Sequence, residues 1–166
     1  MDSMHQPAAI APTARYRLHA SAILVLIAWW GFGNLYEAIV VMPWMWRLPP
    51  GSLPGEFEPG SPVLYFLPAG LALLALAWTL VIRVRRDPGS SRRGVQSTAV
   101  LITIAAAGTG ILVHAVNPTF RDPAAALSDV RTAIVLWEIG NAVRLALAAA
   151  AAISLLRWRV SSAECP

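Results

Sequence analysis

Glu37, His114, Glu138 and Arg144 each interrupt a long apolar run, and Asn34 and Asn141 accompany them. Placing an ionisable side chain inside a bilayer costs roughly 2.5–3.5 kcal/mol on insertion scales, so such residues usually face a bundle interior and mark function. Two carboxylates beside a single cation can be held in different protonation states, one serving as general acid and the other as general base. Asn34 and Asn141 could donate hydrogen bonds to a developing enolate or phenolate oxygen. Trp30, Tyr36 and Trp137 would wall a flat hydrophobic substrate, or simply pack. Helical phase puts Trp30, Asn34, Glu37 and Val41 on one face. Glu138, Asn141 and Arg144 step by three, sweeping about 120°, so two of them can face inward. His114 extends a stripe of small residues, Thr103, Ala107 and Gly110, which is expected to face neighbouring helices. Arg144 is expected to pair with Glu37 or Glu138, because an unpaired buried guanidinium is expensive.

The bland reading is a buried ion-pair network that locks the bundle. Six polar groups drawn from three helices exceed what a lock requires, which favours a functional site. A metal site is the sharper alternative, with His114, Glu37 and Glu138 as its ligands. One histidine with two carboxylates matches a non-haem iron facial triad in number but not in type, since two histidines are expected there. No organic cofactor is expected: the chain has no Walker loop, dinucleotide glycine pattern, CxxC pair or serine elbow. The single cysteine, Cys165, excludes disulfides and cysteine-based metal sites within the chain. His5 and His19 fall outside the cluster.

The elements that must position these residues are apolar helices. Of the 166 residues, 57% are hydrophobic and 13% charged, whereas a soluble domain carries roughly a quarter charged residues. Four runs are long enough to cross a bilayer: about residues 19–45, 63–84, 97–116 and 133–156. Residues 1–18, rich in proline and alanine, read as a poorly ordered cytoplasmic tail, and 157–166 as a second one. The first run is too long for a signal-peptide core and lacks a well-placed cleavage site, so it is kept as a span. Pro43 marks its end, with Trp44 and Trp46 as an interfacial belt. The loop from Arg47 to Pro62 holds five prolines and three glycines and cannot be regular helix. The alanines from Ala146 to Ala152 should let the fourth span pack closely. The expected fold is therefore all-α, a left-handed integral membrane four-helix bundle.

All thirteen basic residues are arginines. Arg15 and Arg17, the 83–93 cluster, and Arg157 and Arg159 fall on one side. Arg47, Arg121 and Arg131 fall on the other, offset by Glu56, Glu58, Asp122 and Asp129. Positive charge stays inside, so both termini are expected in the cytoplasm of a multi-pass cell-membrane protein. That orientation puts Asn34, Glu37, His114, Glu138 and Asn141 in the outer half, with Arg144 near the middle. The basic residues flank spans and form no solvated face, so nucleic acid is not an expected partner. The lipid bilayer is one.

The segment Gly33-Asn34-Leu35-Tyr36-Glu37-Ala38 followed by Pro43 resembles the opening of the small four-helix membrane proteins grouped with anthrone oxygenases. Asn117-Pro118-Thr119 after the third span, and Trp137, Glu138, Asn141 and Arg144 in the fourth, are similar to that family's second half. The family often has a histidine where this chain has Asn141, so a proton-transfer role is not carried onto that position. The resemblance implies natural-product chemistry: oxidation of a polycyclic phenolic anthrone to an anthraquinone, with dioxygen as co-substrate and no organic cofactor. Glu37 or Glu138 would be the base, and Arg144 with the two asparagines would stabilise the anion.

The leading expectation is thus a membrane enzyme acting on a lipophilic, aromatic or polyketide-like small molecule, with oxygenation started by carboxylate proton abstraction. A cofactor-free cyclase or isomerase could use the same carboxylates. The rival from another class is a non-catalytic subunit or small transporter, a homo-oligomer joined through its alanine and glycine faces, although no inverted repeat is evident.

Overall fold

Apolar residues recurring at four- and three-residue steps set the architecture. In the computed structural model, which describes residues 12–87 and 92–161, the first span is one long rod. It comprises α1 (Pro12–Tyr36), a π-helical turn (Glu37–Val41) and the short α2 (Met42–Met45). The others are α3 (Pro62–Arg85), α4 (Arg93–Arg121) and α5 (Leu127–Ser161). The fold is an all-α four-helix bundle, and all four rods are long and apolar enough to cross a membrane. Between 22% and 33% of each apolar window is buried inside the bundle. The remaining apolar surface, including Val25, Phe32, Ile39, Leu71, Ile111 and Ile139, needs a non-aqueous surrounding.

The rods form a ring in which α1 lies between α3 and α5, and α4 lies between the same two neighbours. On α5, Val130, Ile134, Trp137, Asn141, Arg144, Ala148, Ala151, Leu155 and Trp158 are buried in steps of four and three, with Ala133 buried beside Ile134. That 4-3 alternation is the 3.5-residue period of left-handed packing. On α1, Tyr16, Ala20, Ile23, Ile27, Trp30 and Asn34 follow the same period up to Glu37. The most extensive interface, between α4 and α5, includes close approaches through small groups. A Cβ on Gly94 would lie 2.7 Å from the Cβ of Trp158, and Thr98 Oγ1 donates 3.2 Å to the carbonyl of Ala151.

Two apolar cores result. One fills the end of the bundle that carries the termini, from Tyr16, Val84, Val95 and Trp158 up to Trp30, Leu73, Ala105 and Ala148. The other fills the loop end with Met42, Met45, Leu53, Val116, Phe120, Ile134 and Trp137. From Pro62 to Ala72, α3 contributes no buried residue, whereas Leu73, Ala77, Leu80, Val81 and Val84 are buried further on. The loop-end half of α3 therefore enters neither core, although Tyr65 stacks on Trp29 and Phe66 reaches Gly33 of α1.

Several features differ from the sequence expectations. Helix begins at Pro12, so part of the segment read as a disordered tail is helical; residues 1–11, with His5, and residues 162–166, with Cys165, lie outside the described residues. His19 is tied to the Leu76 carbonyl at 2.9 Å. The third span does not stop at Val116 but continues through Pro118 to Arg121. Pro118 removes one ladder hydrogen bond, yet Asn117 and Phe120 on either side of it are buried, and that packing carries the helix on. The stripe Thr103, Ala107, Gly110 and His114 faces outward and is exposed along its length. Thr98, Ala99, Ile102 and Ala105 take the inner face instead.

Candidate functional site

The polar residues occupy the boundary between the two cores. On α1, Asn34 and Glu37 replace apolar residues between Trp30 and Met42; on α5, Arg144 and Asn141 do so between Ala148 and Trp137. Thr109 fills the corresponding level of α4, between Ala105 and Val116. Three helices thus supply one buried polar layer. Glu37 is 4% exposed, Arg144 4% and Asn141 0%.

Trp137 is the hub of that layer. Its indole Nε1 donates to Glu37 Oε2 at 3.3 Å, and the Arg144 guanidinium carbon lies 5.0 Å from the centre of its ring. Phe120 meets the same indole edge-on, with centroids 6.2 Å apart. Arg144 donates through Nη2 to Asn141 Oδ1 and through Nη1 to Thr109 Oγ1 at 3.4 Å. The expected direct pair between Arg144 and a carboxylate does not form, because neither Glu37 nor Glu138 comes within ion-pair distance of it. The indole touches both groups, its N–H on Glu37 and its ring face on the cation, and neutral acceptors take the guanidinium's two terminal nitrogens. Asn34 Nδ2 donates 2.7 Å to the Trp30 carbonyl one turn back on its own helix. Glu37 Oε1, Glu138 Oε1, Asn34 Oδ1, Asn141 Nδ2 and Arg144 Nε are buried with no hydrogen-bond partner among the described residues, which is a high density of unmet polar capacity.

Glu37 also opens the π-helical turn, where the Met42 N–H reaches back five residues to the Glu37 carbonyl. Pro43 offers no N–H to the ladder and disfavours a regular α turn ahead of it. The wide turn puts one extra residue between successive inner-face positions, so the buried sequence runs Glu37, Met42, Met45. Val41, expected on that face, is displaced to its flank. Such turns recur at functional positions.

Beside this turn lies a cavity of about 950 Å³, bounded by the first span, the 46–61 loop and the start of α3. Among the described residues Glu37 is the one carboxylate lining it; Phe32, Tyr36, Trp44, Tyr65 and Phe66 supply rings. Gly33 allows the close approach of that wall, since a Cβ there would sit 2.5 Å from the Phe66 ring. The loop forms the cap. Arg121 Nε holds the Pro54 carbonyl at 2.9 Å, its Nη1 pairs with Glu56 at 3.2 Å, and Leu53 N–H donates to the Phe120 carbonyl. Gly51 has φ +80°, a conformation suited to glycine, and packs on Pro123. Ser61 caps α3 by accepting from the Val63 N–H at 3.4 Å, with Pro62 at the first helical position.

The sequence-selected residues therefore divide. Glu37, Trp137, Asn141 and Arg144 form one connected group, with Asn34 a turn away from Glu37. Tyr36 lines the cavity at its exposed rim. Trp30 belongs to the terminal-end core. Glu138 sits on the flank of the layer, half-buried. His114 is exposed on the outer face of α4 and joins neither group. Among the described residues no three His, Cys, Asp or Glu side chains gather to hold a metal ion, so the set His114, Glu37 and Glu138 is not assembled. Thr109 and Tyr65 were not singled out from the sequence. Thr109 is in phase with Ile102, Ala105 and Val116, a periodicity that points it inward. No family model, no curated protein and no solved structure matches this chain, and its function rests on the polar layer and the cavity beside it.

Proposed function

We propose that this protein is a membrane enzyme that takes a flat, lipophilic aromatic molecule from the bilayer and begins its reaction with Glu37 as general base. The observation that carries this reading is the position of Glu37, the carboxylate shared by the buried layer and the cavity. Cavities of 300–1,000 Å³ with apolar walls and few polar groups are the usual form of small-molecule sites. Exposed Phe32, Tyr36 and Trp44 at the rim suit lateral arrival from lipid. Oriented by its arginines, the bundle would hold this cavity in the outer half of the membrane, with both termini in the cytoplasm.

Oxygenation of an anthrone-like ketone is the reaction that best joins this geometry to the family resemblance. Glu37 would take a proton from the methylene carbon between the rings, leaving a phenolate-stabilised carbanion. That carbon would combine with dioxygen and lose its second hydrogen. One oxygen atom becomes the new carbonyl and the other leaves as water, so that anthrone and dioxygen give anthraquinone and water. The phenols of Tyr36 and Tyr65 are the hydroxyl donors nearest such an anion among the aromatic lining. Arg144, Asn141 and Thr109 stand behind Trp137 and act by positioning. This replaces the sequence-based assignment of Arg144 and the asparagines to the anion itself.

The test is oxygen uptake and quinone formation from anthrone by the chain reconstituted in nanodiscs. Glu37→Gln should lower turnover about 100-fold or more, the usual worth of a general base, while Glu138→Gln should stay within about tenfold. Unchanged turnover in Glu37→Gln would overturn the assignment. Equal turnover without oxygen would instead indicate the cyclase or isomerase reading. One observation favours a non-catalytic subunit or transporter: Arg144 is engaged by Asn141, Thr109 and Trp137, as a structural lock would be. On that reading Glu37→Gln changes assembly or stability and no turnover is found.

A further inference from the structure

The same cavity has a charge character that a neutral ketone does not use. Its aromatic wall (Phe32, Tyr36, Trp44, Tyr65 and Phe66) surrounds one buried carboxylate, and no Lys, Arg or His is among its described lining residues. Ring faces attract cations, most strongly where water is excluded. The adjoining layer and its flank hold two carboxyl groups, buried Glu37 and half-buried Glu138, against one guanidinium, Arg144. With both carboxyls ionised, one further positive charge would make it neutral. Arg144 does not supply that charge inside the cavity, because it is not among the lining residues and makes no ion pair with Glu37; its guanidinium is held by Asn141, Thr109 and the Trp137 ring. We infer that the cavity binds a lipophilic monocation of the ammonium or phosphonium type, seated between the Glu37 carboxylate and the aromatic wall. A zwitterionic lipid headgroup is a poorer occupant, since its phosphate would find no cationic partner there. The inference goes beyond the catalytic reading and stands without it.

The experiment uses the purified full chain in maltoside micelles, titrated with tetraphenylphosphonium and, separately, with tetraphenylborate, an anion of the same shape. Tryptophan fluorescence, to which Trp44 contributes, reports occupancy. The cation should bind saturably, at one site per chain, and about tenfold or more tighter than the anion. Glu37→Gln, checked as helical and monodisperse, should weaken the cation about tenfold and leave the anion unchanged. Tyr65→Leu should weaken the cation several-fold. Absence of saturable cation binding, or equal affinity for the anion, would overturn the proposal, and both are read on the wild-type chain whatever the variants do. Displacement of the phosphonium by short-chain phosphatidylcholine would assign the site to a headgroup and also overturn it. Cation binding without ketone turnover would refute the catalytic reading alone, and turnover without cation preference would refute this inference alone.

Discussion

The indole of Trp137 touches both the Arg144 guanidinium and the Glu37 carboxylate, which make no direct ion pair. A direct ion pair would consume the carboxylate, whereas a single neutral donor steadies one oxygen. Trp137→Phe keeps the ring beneath Arg144 and removes the N–H. It should cost about 1–3 kcal/mol, the desolvation penalty of a buried acceptor left unpaired, as a lowered midpoint of thermal unfolding in micelles. Asn141→Leu should cost a similar amount by stranding Arg144 Nη2, and adding Arg144→Met should restore part of the loss. An apolar pair of similar size can replace a satisfied polar pair at little cost, and a double-mutant cycle measures the recovery. The identities of the buried polar residues were legible in the sequence, because Asn34, Glu37, Asn141 and Arg144 interrupt apolar periodicity. Their partners were not. Whether Arg144 meets a carboxylate or an amide depends on the side-chain geometry around Trp137, and no spacing rule encodes that.

The π-helical turn is where one element departs from its simple period. The Trp30, Asn34, Glu37 pattern was readable by 4-3 steps, but Val41 was not the next inward residue, because Pro43 widens the turn by one position. Deleting the exposed Ile39 would place Met42 four residues after Glu37 and let a regular α turn form. The variant is expected to keep both cores, with its unfolding midpoint unchanged or raised, and to lose ligand binding because the cavity wall is rebuilt. A variant that unfolds would show that the wide turn serves stability. On α4 the small-residue stripe misled for a related reason. Gly110 and Ala107 can pack closely, but so can Thr98, Ala99 and Ala105, and only the second set is in register with the alanines of α5. Gly33→Ala tests the wall itself. Its Cβ would push on the Phe66 and Tyr65 rings, which can shift, so ligand affinity should fall several-fold with little change in helicity by circular dichroism.

At the scale of the whole molecule, the apolar content, four long runs and short polar connections made the four-span bundle legible. The cavity was not, since it arises where the start of α3 leaves both cores while Arg121 straps the 46–61 loop across it. The proposed orientation can be tested with single cysteines in a Cys165→Ser background. A membrane-impermeant maleimide should label Glu58→Cys in intact cells and Ser161→Cys only after permeabilisation; the reverse pattern would invert the bundle. The central claim is that Glu37 is the reactive carboxylate reached from the bilayer. It is tested most directly by treating the reconstituted chain with dicyclohexylcarbodiimide, a lipophilic carboxyl reagent, and locating the adduct by peptide mass spectrometry. The adduct should lie on Glu37 and be absent from Glu37→Gln, whereas labelling confined to Glu138, or sparing both Glu37 and Glu138, would contradict the account.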